Sequence, residues 1–205
     1  MVAIPSTPFS ESDRTDQPLS LYAATNKSGE AMVHAYSHLW GIPCTVIRFF
    51  TVYGPWGRPD MALFRFVSAI EQGAPIEIYG HGRMKRDFTY IDDLVDGMVR
   101  LMDIVPGRTP AVENDSLSEV APCRTVNFSG GKTHELMDFV EAIEQALERK
   151  SVRTFLDLQR GDPAITEADM SLLHRLVGPI RSTSVQEGVA AFVSWYRQHY
   201  ARPAT

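Results

Sequence analysis

Three clusters of side chains in this sequence have the types and spacing that chemistry requires. The first is Ser20-Leu-Tyr22-Ala-Ala-Thr-Asn26-Lys27. A phenol ionises near pH 10 and is a weak base at neutral pH unless a nearby cation favours the phenolate. Residues four apart share a helix face, so Asn26 stands beside Tyr22, while Lys27, five along, is turned about 140° away. Asn26 can donate a hydrogen bond but brings no charge. The second cluster is Arg48-Phe49-Phe50-Thr51-Val-Tyr-Gly-Pro-Trp-Gly-Arg58-Pro-Asp60. Its Arg58 carries a planar guanidinium, which grips a carboxylate through two parallel hydrogen bonds. The third is Ile78-Tyr79-Gly80-His-Gly-Arg83-Met-Lys85-Arg86-Asp-Phe88, where Arg83, Lys85 and Arg86 suit a pair of phosphates. A weaker fourth segment, Gln159-Arg160-Gly161-Asp162-Pro163, adds another carboxylate.

These clusters must be placed by regular elements. Residues 1–19 are polar and proline-bearing and read as an irregular lead-in. Ser20 can cap a helix to about residue 40, where Gly41 allows a left-handed stop. Leu21, Ala24, Ser28, Ala31, Met32, Ala35 and Leu39 recur at helical spacing and mark its packing stripe. The β-rich run 43–50 reads as a buried strand. A helix over 61–72 ends at Gly73, and a strand over 76–79 closes at Gly80. Asp92 or Asp93 caps a helix to about residue 103, and 104–122 reads as a surface loop. A strand over 124–128 leads through Gly130-Gly131 into an amphipathic helix over 133–150, then a strand over 152–158. Ser184-x-x-Glu187 is a capping box for a last helix whose Val185, Val189, Phe192, Val193 and Tyr196 share a face. Alternating strands and helices indicate an α/β fold with a parallel sheet component.

Composition narrows the options. At 205 residues, 44% apolar and 22% charged, the chain can bury a core, and the formal charge of −5 argues against a dedicated nucleic-acid binder. Cys44 and Cys123 belong to no metal-ligand pattern and read as reduced, buried thiols. The six histidines, including the His34/His38 pair, form no zinc spacing. No leader-like opening and no apolar run near the roughly 20 residues of a membrane span is present, so a soluble cytoplasmic protein is expected. None of the 14 glycines forms a GxGxxG turn.

Taken together, the first two clusters resemble the active-site half of NAD-dependent nucleotide-sugar epimerases of the extended short-chain dehydrogenase/reductase family, most closely the UDP-glucuronate 4-epimerases. The resemblance implies the C-terminal part of a Rossmann-type parallel sheet domain plus a small α/β substrate-binding domain. Residues 1–55 would be a remnant of the NAD-binding domain, and 56–205 the UDP-sugar-binding region, with some segments returning to the cofactor side. It further implies that Tyr22 is the base for the sugar 4-hydroxyl, with Asn26 at the usual lysine position. Thr51 and Arg58 would face the sugar, Arg58 toward the glucuronate carboxylate. Tyr79 would lie near the uracil, Arg86 on the diphosphate, Asp162 on the UDP ribose, and Phe49 and Phe50 beside the nicotinamide. The implied cofactor is NAD, the implied ligand a UDP-sugar, and the family assembly a homodimer through the tyrosine helix. With no glycine-rich dinucleotide loop in the sequence, the expectation is an epimerase lacking its NAD-binding half and inactive alone. The alternative is an inactive UDP-sugar-binding remnant or interaction module. A dehydratase ranks lower, for want of an acid/base carboxylate pair before the tyrosine helix.

Overall fold

The computed structural model describes residues 7–159 and 161–200. Helix α1 (Leu21–Trp40) starts where the Ser20 hydroxyl accepts the Ala23 N–H and stops at Gly41, whose φ of 62° is the left-handed stop expected of glycine. Its packing face differs from the one the apolar spacing suggests. Leu21, Met32 and Leu39 are exposed, while Ala23 and Ser37 are buried and Lys27, Glu30 and His34 half-buried. The helix docks through small and hydrogen-bonding residues. His34 Nε2 meets Ser118 Oγ at 2.8 Å and His38 Nδ1 meets the Val120 carbonyl at 2.6 Å, so polar pairing outweighs apolar periodicity on this face.

Beneath α1 lie β1 (Cys44–Phe49) and β5 (Cys123–Phe128), paired in parallel from Cys44 opposite Cys123 to Phe49 opposite Phe128. Both cysteines are free thiols. Among the described residues β1 pairs with β5 alone, leaving its other edge open, so the run expected to be a buried strand is only half-buried. A second sheet has the order β2 (Thr51–Tyr53), β4 (Lys85–Tyr90), β6 (Thr133–Glu135), parallel between β2 and β4 and antiparallel between β4 and β6. A third pairs β3 (Pro75–Ile78) with β7 (Val152–Phe155) in parallel. The helices α2 (Ala62–Glu71), α3 (Ile91–Met102), α4 (Leu136–Leu147), α5 (Ser171–Val177) and α6 (Val185–Tyr200) complete the α/β fold. No helix among the described residues is long and apolar enough to cross a membrane.

Two apolar cores result. The larger gathers α2, β3, α4 and α6 around Phe64, Phe88, Phe139 and Phe192, with Phe88 and Phe139 stacked at 4.2 Å. The smaller joins α3, β5 and α5 through Leu94, Phe128, Leu172 and Leu173, with Ile47 of β1 against it. The chain thus passes back and forth between the cores, with α3, β5 and α5 returning to the β1 side and α6 ending in the larger core.

Several boundaries move from their sequence positions. Asp92 and Asp93 are not caps: Tyr90 precedes α3, and both aspartates lie in its first turn. Asp93 instead accepts from the Thr183 N–H at 2.6 Å and hydroxyl at 2.9 Å, tying α3 to the segment before α6. Residues 133–135 are strand, so α4 begins at Leu136, where Glu135 and Asp138 form a reciprocal capping box. Tyr79 lies just past β3, in a helical turn bent at Gly80 and His81, whose φ values are positive. Strand β7 ends at Phe155 rather than residue 158. The segments 51–53, 85–90 and 171–177, unassigned from sequence, are β2, β4 and α5. The capping box before α6 forms as expected, Glu187 N–H donating to the Ser184 hydroxyl at 3.2 Å.

Candidate active site

The first turns of α1 present Tyr22 outward, 76% exposed. The Asn26 amide nitrogen donates to the Tyr22 carbonyl at 3.0 Å, so this side chain is bonded back onto its own helix. Lys27 is also committed. Its Nζ meets Glu30 at 3.0 Å, and the Glu30 carboxylate also receives Arg48 Nε at 2.7 Å and Nη2 at 2.9 Å. Burial pushes the Glu30 carboxyl up, but Arg48 and Lys27 outweigh it and hold the group below the usual range. This bidentate pair fixes α1 to β1, and so fixes where Tyr22 stands relative to the strand end. Glu30 was not apparent from sequence, although its three-residue spacing from Lys27 was a signal.

At the end of β1, Phe49 is exposed and Phe50 half-buried, its ring 6.2 Å from Phe9. Thr51 opens β2 opposite Phe88 of β4. The turn that follows carries Arg58, which is exposed and pairs with Asp60 at 2.5 Å. That hydrogen bond holds the guanidinium above its ordinary value. Tyr22 and Arg58, 36 positions apart in sequence, both stand exposed on the surface.

Arg86 occupies a different setting. Its side chain is 12% exposed, and Nη2 contacts Asp162 at 3.0 Å. Nη1 donates to the carbonyls of Lys85 at 3.0 Å and Ala164 at 3.2 Å. Burial draws the Arg86 pKa below its ordinary value, and Asp162 opposes that shift. The Lys85 N–H donates to the Ala164 carbonyl at 2.9 Å and the Thr166 N–H to the Lys85 carbonyl at 3.1 Å, clipping 164–166 onto β4. Tyr79, half-buried against the larger core, donates from its hydroxyl to Glu77 at 3.2 Å. Arg160 lies outside the described residues.

Asp87, absent from the sequence-level site, is wholly buried beside Arg86. Its Oδ2 accepts the Ala168 N–H at 3.4 Å, while Oδ1 has no hydrogen bond of good geometry. Burial pushes this carboxyl up, and the Ser129 hydroxyl with the Ala168, Gly130 and Lys132 amides counters that shift. Adjacent residues of β4 thus do different jobs: Arg86 holds 162–164 from a partly exposed position, and buried Asp87 is bonded to Thr166 and Ala168.

The structure brings Arg86 and Asp162 into contact, whereas Tyr22 and Arg58 are both exposed. Two concavities, of about 460 and 420 Å³, are lined by α4 and α6 residues and by β1 and α3 residues, and neither includes a residue named above as chemical. Among the described residues no group of three or more His, Cys, Asp or Glu side chains could hold a metal ion.

Over 202 residues the chain is 55% identical to a Rhizobium meliloti (strain 1021) protein described as "Probable UDP-glucuronate 4-epimerase", covering 97% of this chain and 59% of the relative. It is 44% identical over 197 residues to UDP-glucuronate 4-epimerase 2 of Arabidopsis thaliana, covering 94% of this chain and 45% of that protein. A solved structure of UDP-glucuronic acid 4-epimerase from Bacillus cereus, in complex with UDP-glucuronic acid and NAD, superposes with a TM-score of 0.76 at 32% identity, over 89% of this chain and 54% of that one. The chain thus spans about half to three-fifths of the length of these proteins. Residues 2–111 match the family model for the NAD dependent epimerase/dehydratase family, more than half of the sequence. With its α/β architecture and these relatives, the chain belongs to the NAD dependent epimerase/dehydratase family.

Proposed function

We propose that this chain carries the sugar-nucleotide side of a UDP-hexuronate 4-epimerase that interconverts UDP-glucuronate and UDP-galacturonate. The observation that carries the reading is Arg86, a nearly buried guanidinium whose acidic partner is Asp162, borne on the segment that follows β7. A buried cation with a replaceable counter-ion is a ready anchor for a diphosphate. From that anchor the sugar reaches toward Thr51 and Arg58, where the exposed guanidinium pairs the glucuronate carboxylate. Tyr22 removes the proton of the 4-hydroxyl and returns it, and Tyr79 packs near the uracil. Residues 1–55, joined by the returning β5, α3 and α5, form the cofactor side, and the rest binds the UDP-sugar.

The chemistry NAD supplies when bound is reversible hydride acceptance at the sugar C4. Exposed Phe49 and half-buried Phe50 are the residues that would lie beside the nicotinamide. The fit stops there, because none of the 14 glycines forms a GxGxxG turn for a dinucleotide pyrophosphate. A second reading, binding of the UDP-sugar without turnover, is favoured by one observation: Asn26 donates to the Tyr22 carbonyl and places no cation beside the phenol. Calorimetry with UDP-glucuronate, followed by chromatography after incubation with NAD, separates the two. Binding with slow conversion supports the first reading, and binding with none the second. Rapid conversion would overturn the account of Asn26, and no binding at millimolar ligand would remove both readings.

A further inference from the structure

Arg86 is nearly saturated by its own protein before any ligand arrives. Nη1 serves two carbonyls, Nη2 contacts Met84 Sδ at 3.2 Å, and Nη2 also holds Asp162 Oδ1 at 3.0 Å. The two carbonyls and the thioether are neutral, so Asp162 is the anionic contact of this guanidinium among the described residues. The two partners are not equally buried. The Arg86 side chain is 12% exposed and that of Asp162 39%. Asp162 is carried by a turn in which its N–H donates to the Gln159 carbonyl at 3.1 Å and Gly161 has a φ of 82°. Beyond the turn, 164–166 is held to β4 by backbone bonds. The fixed cation and the more exposed anion therefore differ in how readily each can move.

We infer that Asp162 is a place-holding counter-ion: its carboxylate occupies on Arg86 the position that a ligand diphosphate must take, and binding exchanges one anion for the other. This rests on the UDP-sugar reading above and adds an element to it, a built-in competitor that sets affinity. No covalent step is involved. An entering phosphate oxygen accepts the Nη2–H that Asp162 gives up, and the Asp162 carboxylate turns off the guanidinium, where the ribose of a nucleotide ligand can meet it. The exchange keeps a buried guanidinium from standing unpaired in the free protein. It also weakens anion binding by the strength of the Arg86–Asp162 pair, plus the repulsion between that carboxylate and the incoming phosphates.

The inference is tested with two probes in calorimetry at low ionic strength, UDP on wild type and D162N, and inorganic pyrophosphate on wild type and a variant set. Pyrophosphate has no ribose, so a contact between Asp162 and a sugar hydroxyl cannot contribute. D162N and D162A are expected to bind pyrophosphate roughly threefold to tenfold more tightly than wild type, the range for a partly exposed ion pair. D162E, which keeps the charge, shows no such gain, and R86A loses binding in either background. Asp162 is exposed enough that these variants should fold, and thermal melts check this. If wild type binds UDP but D162N binds pyrophosphate no better than wild type, or not measurably, the place-holder role is wrong and the UDP reading stands. If UDP binds neither wild type nor D162N, the reading and the inference fall together.

Discussion

At the residue scale, Asn26 determines how Tyr22 can work. Its amide is spent on the Tyr22 carbonyl, and Lys27 is held by Glu30, so no cation of α1 stands one turn above the phenol. A cation there would favour the phenolate and let the base act at lower pH. If that shift amounts to about two to three pH units, its absence costs roughly 3–4 kcal/mol of activation. The N26K variant should therefore raise any conversion of UDP-glucuronate at neutral pH by on the order of a hundredfold, and move the acidic limb of the pH–rate profile downward. Rates are followed by chromatography. An unchanged profile would show that Tyr22 is not the base. The tyrosine and its spacing were legible in sequence. The local bond that ties Asn26 back was not, because side-chain-to-backbone pairing competes with long-range roles and leaves no spacing signature.

At the element scale, polar hubs lock strands to helices. Glu144 near the end of α4 is buried and receives Arg153 of β7 at 2.7 Å, Lys150 at 2.8 Å and the Ser151 N–H at 3.0 Å. Burial pushes its carboxyl up, but these partners reverse that and bring it down to about 2. Because the folded value is depressed, the contribution is complete above the ordinary 4.5 and is lost as pH falls from there toward about 2. Denaturant melts at pH 7 and pH 3 should show E144Q destabilised by roughly 2–3 kcal/mol at pH 7 and by much less at pH 3. Equal losses at both values would contradict the charge argument. Gly130 is a second fixed point, since a Cβ there would meet the Phe88 carbonyl oxygen, backbone that cannot turn away. G130A should cost about 2 kcal/mol or more in a thermal or chemical melt and loosen the turn around Asp87. The ends of α1 and α6 were legible because Ser20, Gly41 and the Ser184–Glu187 box have local chemistry that acts without tertiary partners. Strand β4 was hidden, since Lys85-Arg86-Asp87 reads as a solvated loop until β2 and β6 pair with it on either side. The Arg86–Asp162 contact joins residues 76 positions apart, beyond any spacing rule.

At the scale of the whole molecule, α1 leaves a broad apolar face uncovered. Met32, Tyr36, Leu39 and Trp40 are all more than half exposed. Such a patch favours association. Light scattering at tens of micromolar should give a mass above the 22.9 kDa of one chain, and the double variant Y36E/W40E should restore the monomer value. A monomer at all concentrations would contradict this. In sequence the helix spacing marked Met32 and Leu39 as packing residues and passed over Tyr36 and Trp40; the polar docking of Glu30, His34 and His38 leaves all four facing outward.

The central claim, that Arg86 and Arg58 together hold a UDP-hexuronate, is tested most directly by calorimetry comparing UDP-glucuronate with UDP-glucose on wild type and R58A. The account predicts that wild type prefers the glucuronate by about tenfold, as expected for one charge-assisted carboxylate contact, and that R58A abolishes the preference while UDP-glucose affinity barely changes. Equal affinity for the two sugars on wild type, or a preference that survives in R58A, would contradict it.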